Sequence, residues 1–351
     1  MSHLNVVITG VTSGLGRELS ETMLTAGATV YGIARNGEKM RGFQEEMKAK
    51  GDVVRGTFVP IQCDLGSLEE VRGAARAVTD KVKKSKGNKS VDYLINNAGI
   101  HYGGDARRMG VAGKTDGMDD LFVTNYLSHF LLTKELLPLV EKSPKATVVQ
   151  VSSSYHWQSD GSMLRVGAAG GGGDNLLPMA ARGDVHDARW LQISYANSKL
   201  AQILHARALA RRLKSQGKKT KLVSICPSWV GTSIAPEGIF RNILKVTGFT
   251  PAQGIYPILM AMFRPEVKSG DMVTNTRFPP RFGPYFSKNV ELFGVHIRDI
   301  TVNLMAGLLL VVQELDFGWY IGDSSLESYN VELQDNLYNW SEGAVEKYST
   351  S

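Results

Sequence analysis

A doubly wound α/β fold, with a mostly parallel sheet covered by helices on both faces, is what the sequence predicts for this chain. Three observations predict it. Short apolar runs alternate with longer amphipathic ones from the first residues onward, the rhythm of strand–helix–strand units with right-handed crossovers. The runs are apolar along their whole length rather than at every second residue, so the strands are buried on both faces. A glycine-rich turn directly follows the first run and opens the first helix.

Taken in order, residues 4–9 read as a strand and 15–26 as a helix. Residues 29–34 form the second strand, 38–50 a charged helix and 56–63 the third strand. Residues 67–82 read as a helix, with Ser67 as its cap and Glu70, three residues on, completing a capping box. The fourth strand is 91–96, followed by a long helix over 119–137 and the fifth strand, 146–152. A helix over 195–216 and a sixth strand, 221–226, complete the regular part. Two segments interrupt the rhythm. Residues 157–190 contain Gly170-Gly171-Gly172-Gly173, which has too much conformational freedom to form an element and reads as a flexible surface insertion. Residues 233–325 are irregular and include Pro279-Pro280. They follow the sixth strand, near the strand ends where open α/β sheets bind ligands, and read as a substrate cover. No internal repeat is evident.

The chain has 351 residues, 43% hydrophobic and 21% charged, an ordinary balance for a globular protein with an ample core. Its net charge is +6, but Lys and Arg are scattered apart from Lys81, Lys83, Lys84, Lys86 and Lys89. That run reads as a solvated helix end, and without a basic face interleaved with aromatics no nucleic-acid partner is expected. Cys63 and Cys226 each end an apolar run and read as reduced, buried residues of a reducing compartment, so a cytoplasmic location is expected. The histidines show no metal-ligand spacing, and no metal is expected. The first residues run straight into a strand pattern, leaving no room for a secretory signal. The most apolar later stretch, 300–312, is interrupted by Asn303 and too short to span a bilayer. It reads as a surface helix or a lip of the substrate cavity, with peripheral membrane contact as the alternative.

The turn Thr9-Gly10-Val11-Thr12-Ser13-Gly14-Leu15-Gly16 has the glycines needed for a sharp turn, for backbone approach to a pyrophosphate and for close helix packing. The helix that follows offers free amides and the positive end of its dipole to phosphates. The second strand ends in Ala34-Arg35-Asn36, without the acid that would accept from a ribose 2′-hydroxyl. Arg35 can instead pair with a 2′-phosphate, which favours NADP(H) over NAD(H). Asp64 and Leu65 after the third strand, and Asn97-Ala98-Gly99 after the fourth, fall at the same edge of the sheet. Asp64 has a plainer reading as a helix cap and Asn96-Asn97 as a turn.

Tyr195 and Lys199 are four apart at what reads as a helix start, so both side chains share a face. A nearby ammonium should lower the phenol's pKa toward a working range for proton transfer. Ser153, read as the first residue past the fifth strand on the cofactor side, can hydrogen-bond a substrate carbonyl. Asn125, an amide inside an apolar helix, needs its polar atoms satisfied and could anchor a water leading to Lys199.

These pieces together resemble the short-chain dehydrogenase/reductase family over residues 4–232. The matching residues are Gly10, Gly14 and Gly16, Asp64, Asn96-Asn97-Ala98-Gly99, Asn125, Ser153, Tyr195 with Lys199, and Pro227 to Thr232. The resemblance implies a single Rossmann-type doubly wound domain of about seven strands over residues 1–351. It implies a Ser–Tyr–Lys centre assisted by Asn125 and transfer of the nicotinamide pro-S hydride. Pro227 and Val230 would lie against the cofactor, Val230 at the carboxamide, with Thr232 near the pyrophosphate. Ala34-Arg35-Asn36, the stretch 125–132, Ser198-Lys199-Leu200-Ala201 and the ending Leu337-Tyr338-Asn339-Trp340-Ser341 are most similar to the retinol dehydrogenase and protochlorophyllide reductase branch. That branch implies NADP(H) and a bulky apolar substrate such as a retinoid, steroid or fatty aldehyde. Three departures stand out: Pro227-Ser228 replaces the family's Pro-Gly, the interval from Ser153 to Tyr195 is long, and residues 233–325 align with nothing in the family.

The expected activity is hydride transfer between NADP(H) and a carbonyl or alcohol carbon, with Tyr195 as the proton-transfer residue. The alternatives are a cofactor-binding redox sensor without turnover and an isomerase on the same scaffold. A sensor has no need of the filled Tyr/Lys pair. The apolar faces of the helices 119–137 and 195–216 are open to a homodimer across a two-fold axis or to cover by the C-terminal segment.

Overall fold

The computed structural model describes residues 4–101, 118–159, 161, 164, 188–227, 230, 249–275, 291–292, 295–296 and 320–349. Most of the 157–190 insertion, the 300–312 stretch and Thr232 lie outside them.

Seven strands form one parallel sheet: β1 (Asn5–Thr9), β2 (Thr29–Ala34), β3 (Thr57–Gln62), β4 (Tyr93–Asn96), β5 (Thr147–Val151), β6 (Lys221–Cys226) and β7 (Met272–Thr274). A separate antiparallel pair joins β8 (Glu291–Leu292) to β9 (Val295–His296), and β10 (Tyr320–Ile321) adds to the main sheet antiparallel to β7. The spatial order is β10-β7-β6-β5-β4-β1-β2-β3. The order reverses between β1 and β4, whose registers pair Ile8 with Gly32 on one side and Ile95 on the other. At such a reversal the loops leaving neighbouring strands diverge to opposite faces and open a crevice at the carboxyl edge.

The helices are α1 (Gly14–Thr25), α2 (Gly37–Ala49), α3 (Leu68–Lys84), α4 (Asp120–Phe122), α5 (Ser128–Val140), α6 (Ala188–Ser215), α7 (Pro251–Gly254), α8 (Tyr256–Phe263) and α9 (Val331–Val345). A π-turn over Val123–Leu127 joins α4 to α5. Side chains alternate across the sheet, as a pleated strand requires. Val7, Leu94, Val148 and Leu222 pack under α3, α5, α6 and α9. Val6, Ile8, Ile95, Val149, Val223 and Ile225 pack under α1, α2 and α8. The expectation of apolar strands buried on both faces holds for the central ones; β3, at the edge, alternates and carries Pro60 and an exposed Gln62.

Four local expectations change. Helix α6 begins at Ala188, so Tyr195 lies two turns inside it rather than at its start. Helix α5 runs through Pro138 to Val140, past the expected end at Leu137. Ser67 does cap α3, accepting from the Glu70 amide at 3.3 Å, but the Glu70 carboxylate accepts from the Asp64 amide at 2.8 Å instead of returning to Ser67. The sheet also extends into the stretch read as substrate cover, through β7.

Helix α9 covers the faces of α5 and α6. Leu333, Leu337 and Val345 are buried in the same core, worth about 1.5–3 kcal/mol each. Ser341 meets the buried Tyr126 hydroxyl at 2.8 Å. The ion pair Arg211–Asp335, at 2.7 Å but with both side chains well exposed, adds about 0–1 kcal/mol, so apolar burial is what fastens this helix.

Candidate active site

The edge of the sheet is shaped first by glycine. Gly10 and Gly14 have φ of +79° and +54°, which side chains disfavour. A Cβ on Gly16 would lie 2.4 Å from the Gly10 carbonyl oxygen and 2.5 Å from the Asn97 amide nitrogen, so α1 approaches the strands only because this residue has none. Thr12 and Leu15 are half-buried and Ser13 is exposed. Ser13 precedes α1 in extended conformation and its hydroxyl does not cap the helix. The first-turn amides therefore face the crevice without a side-chain acceptor from Ser13.

Thr9 links this turn to the neighbouring loop. Its hydroxyl oxygen accepts from the Asn97 and Ala98 amides, both at 2.9 Å, while the Asn97 side chain donates to the Thr9 carbonyl at 2.8 Å. Further along the edge, Arg35 is exposed directly after β2. Asp64 is half-buried after β3 and accepts from the Gly66 amide at 3.1 Å, beside buried Leu65. Pro227 and Val230, both buried, follow β6, and Val230 bridges to Phe249. Because the strands are parallel, all these loops sit at one edge.

Strand β5 ends at Val151, so Ser152 and not Ser153 is the first residue beyond it. Ser152 turns inward and donates to the Lys199 carbonyl at 2.7 Å. Ser153 is half-buried; its hydroxyl accepts from the Tyr155 amide at 3.3 Å and lies near enough to the Tyr195 phenol to favour its ionised form. Lys199 Nζ sits 5.5 Å from the centre of the Tyr195 ring and donates to the Val151 carbonyl at 3.0 Å. Gly99 leaves room for it, since a Cβ there would come within 3.3 Å of Nζ. Asn125 lies on the π-turn, a distortion that recurs at functional sites. Its side chain is fully engaged: it accepts from Ile100 N at 2.7 Å and donates to Ile100 O at 3.0 Å and to the Ser198 hydroxyl at 3.1 Å.

Helix α6 is pinned around these groups. Ser194 donates to Asp119 at 2.6 Å, the Ser159 hydroxyl donates to Asn197 at 2.6 Å, and Ser198 receives Asn125. Tyr195, Ser153, Lys199 and Asn125, spread over 75 positions of sequence, are thereby brought to one end of the crevice.

The electrostatics differ from the simple expectation. Burial pushes the Tyr195 phenol above its ordinary range, and the nearby Ser153 hydroxyl pulls it partly back. Lys199 does not act to lower it here, because Nζ lies over the ring face and points its protons at carbonyl oxygens. Burial also depresses Lys199 itself, to about 7. Two aromatic neighbours escaped the sequence reading. The His101 ring packs edge-on to Tyr195 with centroids 4.6 Å apart, and the Tyr155 ring does so at 5.4 Å. Burial, then the nearby Lys199, holds His101 down to about 4, hence neutral. Their positions, just after Asn97-Ala98-Gly99-Ile100 and two residues after Ser153, are the only trace they leave in the sequence.

The family model for short chain dehydrogenases matches residues 4–169. Retinol dehydrogenase 14 of Mus musculus is 30% identical over 76% of this chain and 76% of its own length. The chain belongs to the short-chain dehydrogenase/reductase family. It falls on the retinol dehydrogenase-like branch and is an oxidoreductase by family. Polyprenol dehydrogenase of Homo sapiens is 28% identical, covering 75% of this chain and 73% of that protein. An uncharacterised protein of Mycobacterium paratuberculosis, of known crystal structure, shares the fold with a TM-score of 0.64 and 23% identity over 98% of this chain and 94% of that one.

Members of this family bind a nicotinamide dinucleotide, and the residues present fit one. The glycines at 10 and 16 let the turn pack against the Asn97–Ala98 loop where a Cβ would collide, and the α1 amides are left without a cap from Ser13. Among the described residues there is no group of three or more His, Cys, Asp or Glu able to hold a metal. Cys63 and Cys226 are buried thiols not joined in a disulfide. No helix among the described residues is long and apolar enough to cross a membrane.

Proposed function

We propose that the protein transfers a hydride between NADP(H) and the carbonyl or alcohol carbon of an apolar substrate, with Tyr195 as the general acid and base. The observation that carries this reading is the placement of Ser153 beside the Tyr195 phenol, whose ionised form it favours, with Lys199 over the tyrosine ring, at the same sheet edge as the glycine turn. When bound, the nicotinamide supplies or accepts the hydride. The residues expected to hold the dinucleotide are Gly10, Thr12, Ser13, Gly14, Leu15, Gly16 and Thr232 at the phosphates, with Asp64, Leu65, Asn97, Ala98, Gly99, Pro227 and Val230 along its length and Tyr195 and Lys199 at the nicotinamide end, Lys199 on the ribose. Exposed Arg35, with no acid at the end of β2, supports NADP(H) over NAD(H).

Ser153 holds the substrate oxygen against the Tyr195 hydroxyl. In reduction Tyr195 gives its proton to that oxygen as the carbon gains the hydride; in oxidation it takes the proton back. A buried phenol is reluctant to ionise. Lys199 therefore has to stabilise the phenolate as it forms, and proximity to the ring gives it that reach. Relatives named for retinol and polyprenol, both long apolar alcohols, support a substrate of that class. Two buried thiols support a reducing compartment, and the apolar stretch 300–312 keeps peripheral membrane contact in view.

The test is NADPH oxidation over a panel of retinoid, steroid and fatty aldehydes, with Tyr195→Phe as the control. That change keeps the ring packing against His101 and Tyr155 and deletes only the hydroxyl. Turnover should fall by about a thousandfold or more, as befits loss of a general acid. Undiminished turnover would refute the role of Tyr195, and NADPH binding without turnover of any carbonyl would favour the sensor reading.

A further inference from the structure

Asn125 serves the site through its backbone as well as its side chain. Its carbonyl oxygen accepts from Gln202 Nε2 at 2.8 Å and from His129 Nδ1 at 3.1 Å. A carbonyl has two lone pairs, and two side-chain donors match them. On its other end, Gln202 Oε1 accepts from Lys199 Nζ at 3.3 Å. The orientation of the Gln202 amide is fixed by these neighbours, because an ammonium can only donate and a carbonyl can only accept. Gln202 is fully buried, one helical turn beyond Lys199 on the same face of α6. A buried primary amide there is costly unless both ends are bonded, and here both are.

His129 is bonded just as completely. With Nδ1 donating to the Asn125 carbonyl, Nε2 is left to accept from the Thr9 hydroxyl, 3.0 Å away. The result is an unbroken path of direct bonds from the glycine-turn residue Thr9 through His129, the Asn125 carbonyl and Gln202 to the Lys199 ammonium.

We propose that Gln202 is a positioning residue for the reaction: it bridges Lys199 directly to the main chain of Asn125, in the place where a relayed water was expected, and so sets the orientation and protonation of Lys199. This inference rests on the proposed function of the site for its catalytic meaning, but the bridge itself is independent of turnover.

Several groups face Lys199 and have to be weighed with Gln202. His101 approaches from the loop after β4 and His129 from α5, both neutral by burial. Tyr195 lies on α6 itself, and the Cys226 thiol at the end of β6 pulls Lys199 upward. The Val151 carbonyl on β5 is the other acceptor. Of these, Gln202 offers the only side-chain oxygen recorded within hydrogen-bonding distance of Nζ among the described residues, so changing it acts on Lys199 without touching the groups proposed to meet substrate.

The experiment compares Gln202→Glu and Gln202→Leu with the unaltered full chain. Lysine 13Cε resonances are followed against pH by NMR, with Lys199 assigned by its absence in Lys199→Met. Gln202→Glu is isosteric and puts a carboxylate on the ammonium, so the Lys199 midpoint should rise by about one pH unit; Gln202→Leu removes an acceptor and should lower it. In parallel, kcat in Gln202→Leu should fall about tenfold with little change in KM, and the limb of its pH–rate profile should move with the NMR midpoint. A Lys199 midpoint unmoved in both variants overturns the proposal, as does a loss of Tm and activity with the pH profile unshifted, which would mark Gln202 as structural only. If Tyr195→Phe stays active while the Lys199 midpoint moves as stated, the proposed function fails and the bridge stands.

Discussion

Along the carboxyl edge of the sheet, the loop after β1 acts through the backbone, whereas those after β4 and β5 act through side chains together with α5 and α6. In the first region two glycines hold left-handed φ, a third permits close approach, and helix amides face the crevice. In the second, Tyr195, Lys199, Asn125, Gln202 and His129 are buried, the last four joined by hydrogen bonds, with half-buried Ser153 beside Tyr195. A site made of backbone tolerates changes of side chain but not the addition of a Cβ. One made of buried polar side chains tolerates small changes of volume but not the loss of a partner or a change of charge.

The sharpest way to separate the two regions is pH. Four histidines, buried His129, His156 and His205 and half-buried His101, all lie in the second region, and desolvation lowers each well below 6.5, to about 4 or 3. The unfolded chain therefore binds protons that the folded chain refuses. Their neutral forms support the fold fully above pH 6.5, and that support is lost as pH falls toward 4. Between pH 7 and 5 the stability should drop by several kcal/mol. Hydrogen exchange should show α5, α6 and β5 opening before β1 and β2, and uniform acid opening of the sheet would erase the distinction.

Next in size is Gly16→Ala. The added Cβ collides with backbone that has nowhere to go, so stability should fall by about 3 kcal/mol, and NADPH affinity with it. Denaturant melts and fluorescence titration read both, and native values would show that α1 can shift. Arg35→Asp should change the ratio of NADP(H) to NAD(H) affinity by at least about tenfold, or about 1.4 kcal/mol, with little effect on stability. An unchanged ratio in paired titrations would remove Arg35 as the selector. The smallest effect is Gly73→Ala. Gly73 is exposed inside α3 with nothing near its missing Cβ, so here a methyl should stabilise by about 0.5–1 kcal/mol. Destabilisation by this change would mean that glycines in this protein cannot be sorted by local space.

The backbone-built region is also the one that is legible in the sequence. Strand runs, the glycine turn and the absent acid before Arg35 are local patterns, and the first three strands and helices fall within a residue or two of where periodicity puts them. In the second region Tyr195, Lys199, Ser153 and Asn125 are legible as residues but their connections are not. The bridge from Gln202 to Asn125 spans 77 positions and depends on a π-turn that no residue type announces. The first turns of α6 were hidden beside a glycine-rich stretch, and β7, only three residues long, offers too little pattern to register. Glu70 has the right spacing for a capping box, yet the Asp64 amide competes for it and wins, because tertiary geometry decides between equivalent donors.

Helix α9 carries a consequence for how the molecule is made. It follows α5 and α6 far along the chain, yet it covers their apolar faces behind the proposed centre. Until α9 has been synthesised, those faces are bare and sticky, so the nascent chain should lean on chaperones after α6 emerges rather than before. Once α9 docks, those faces become part of the shared core and the adhesive surface is gone.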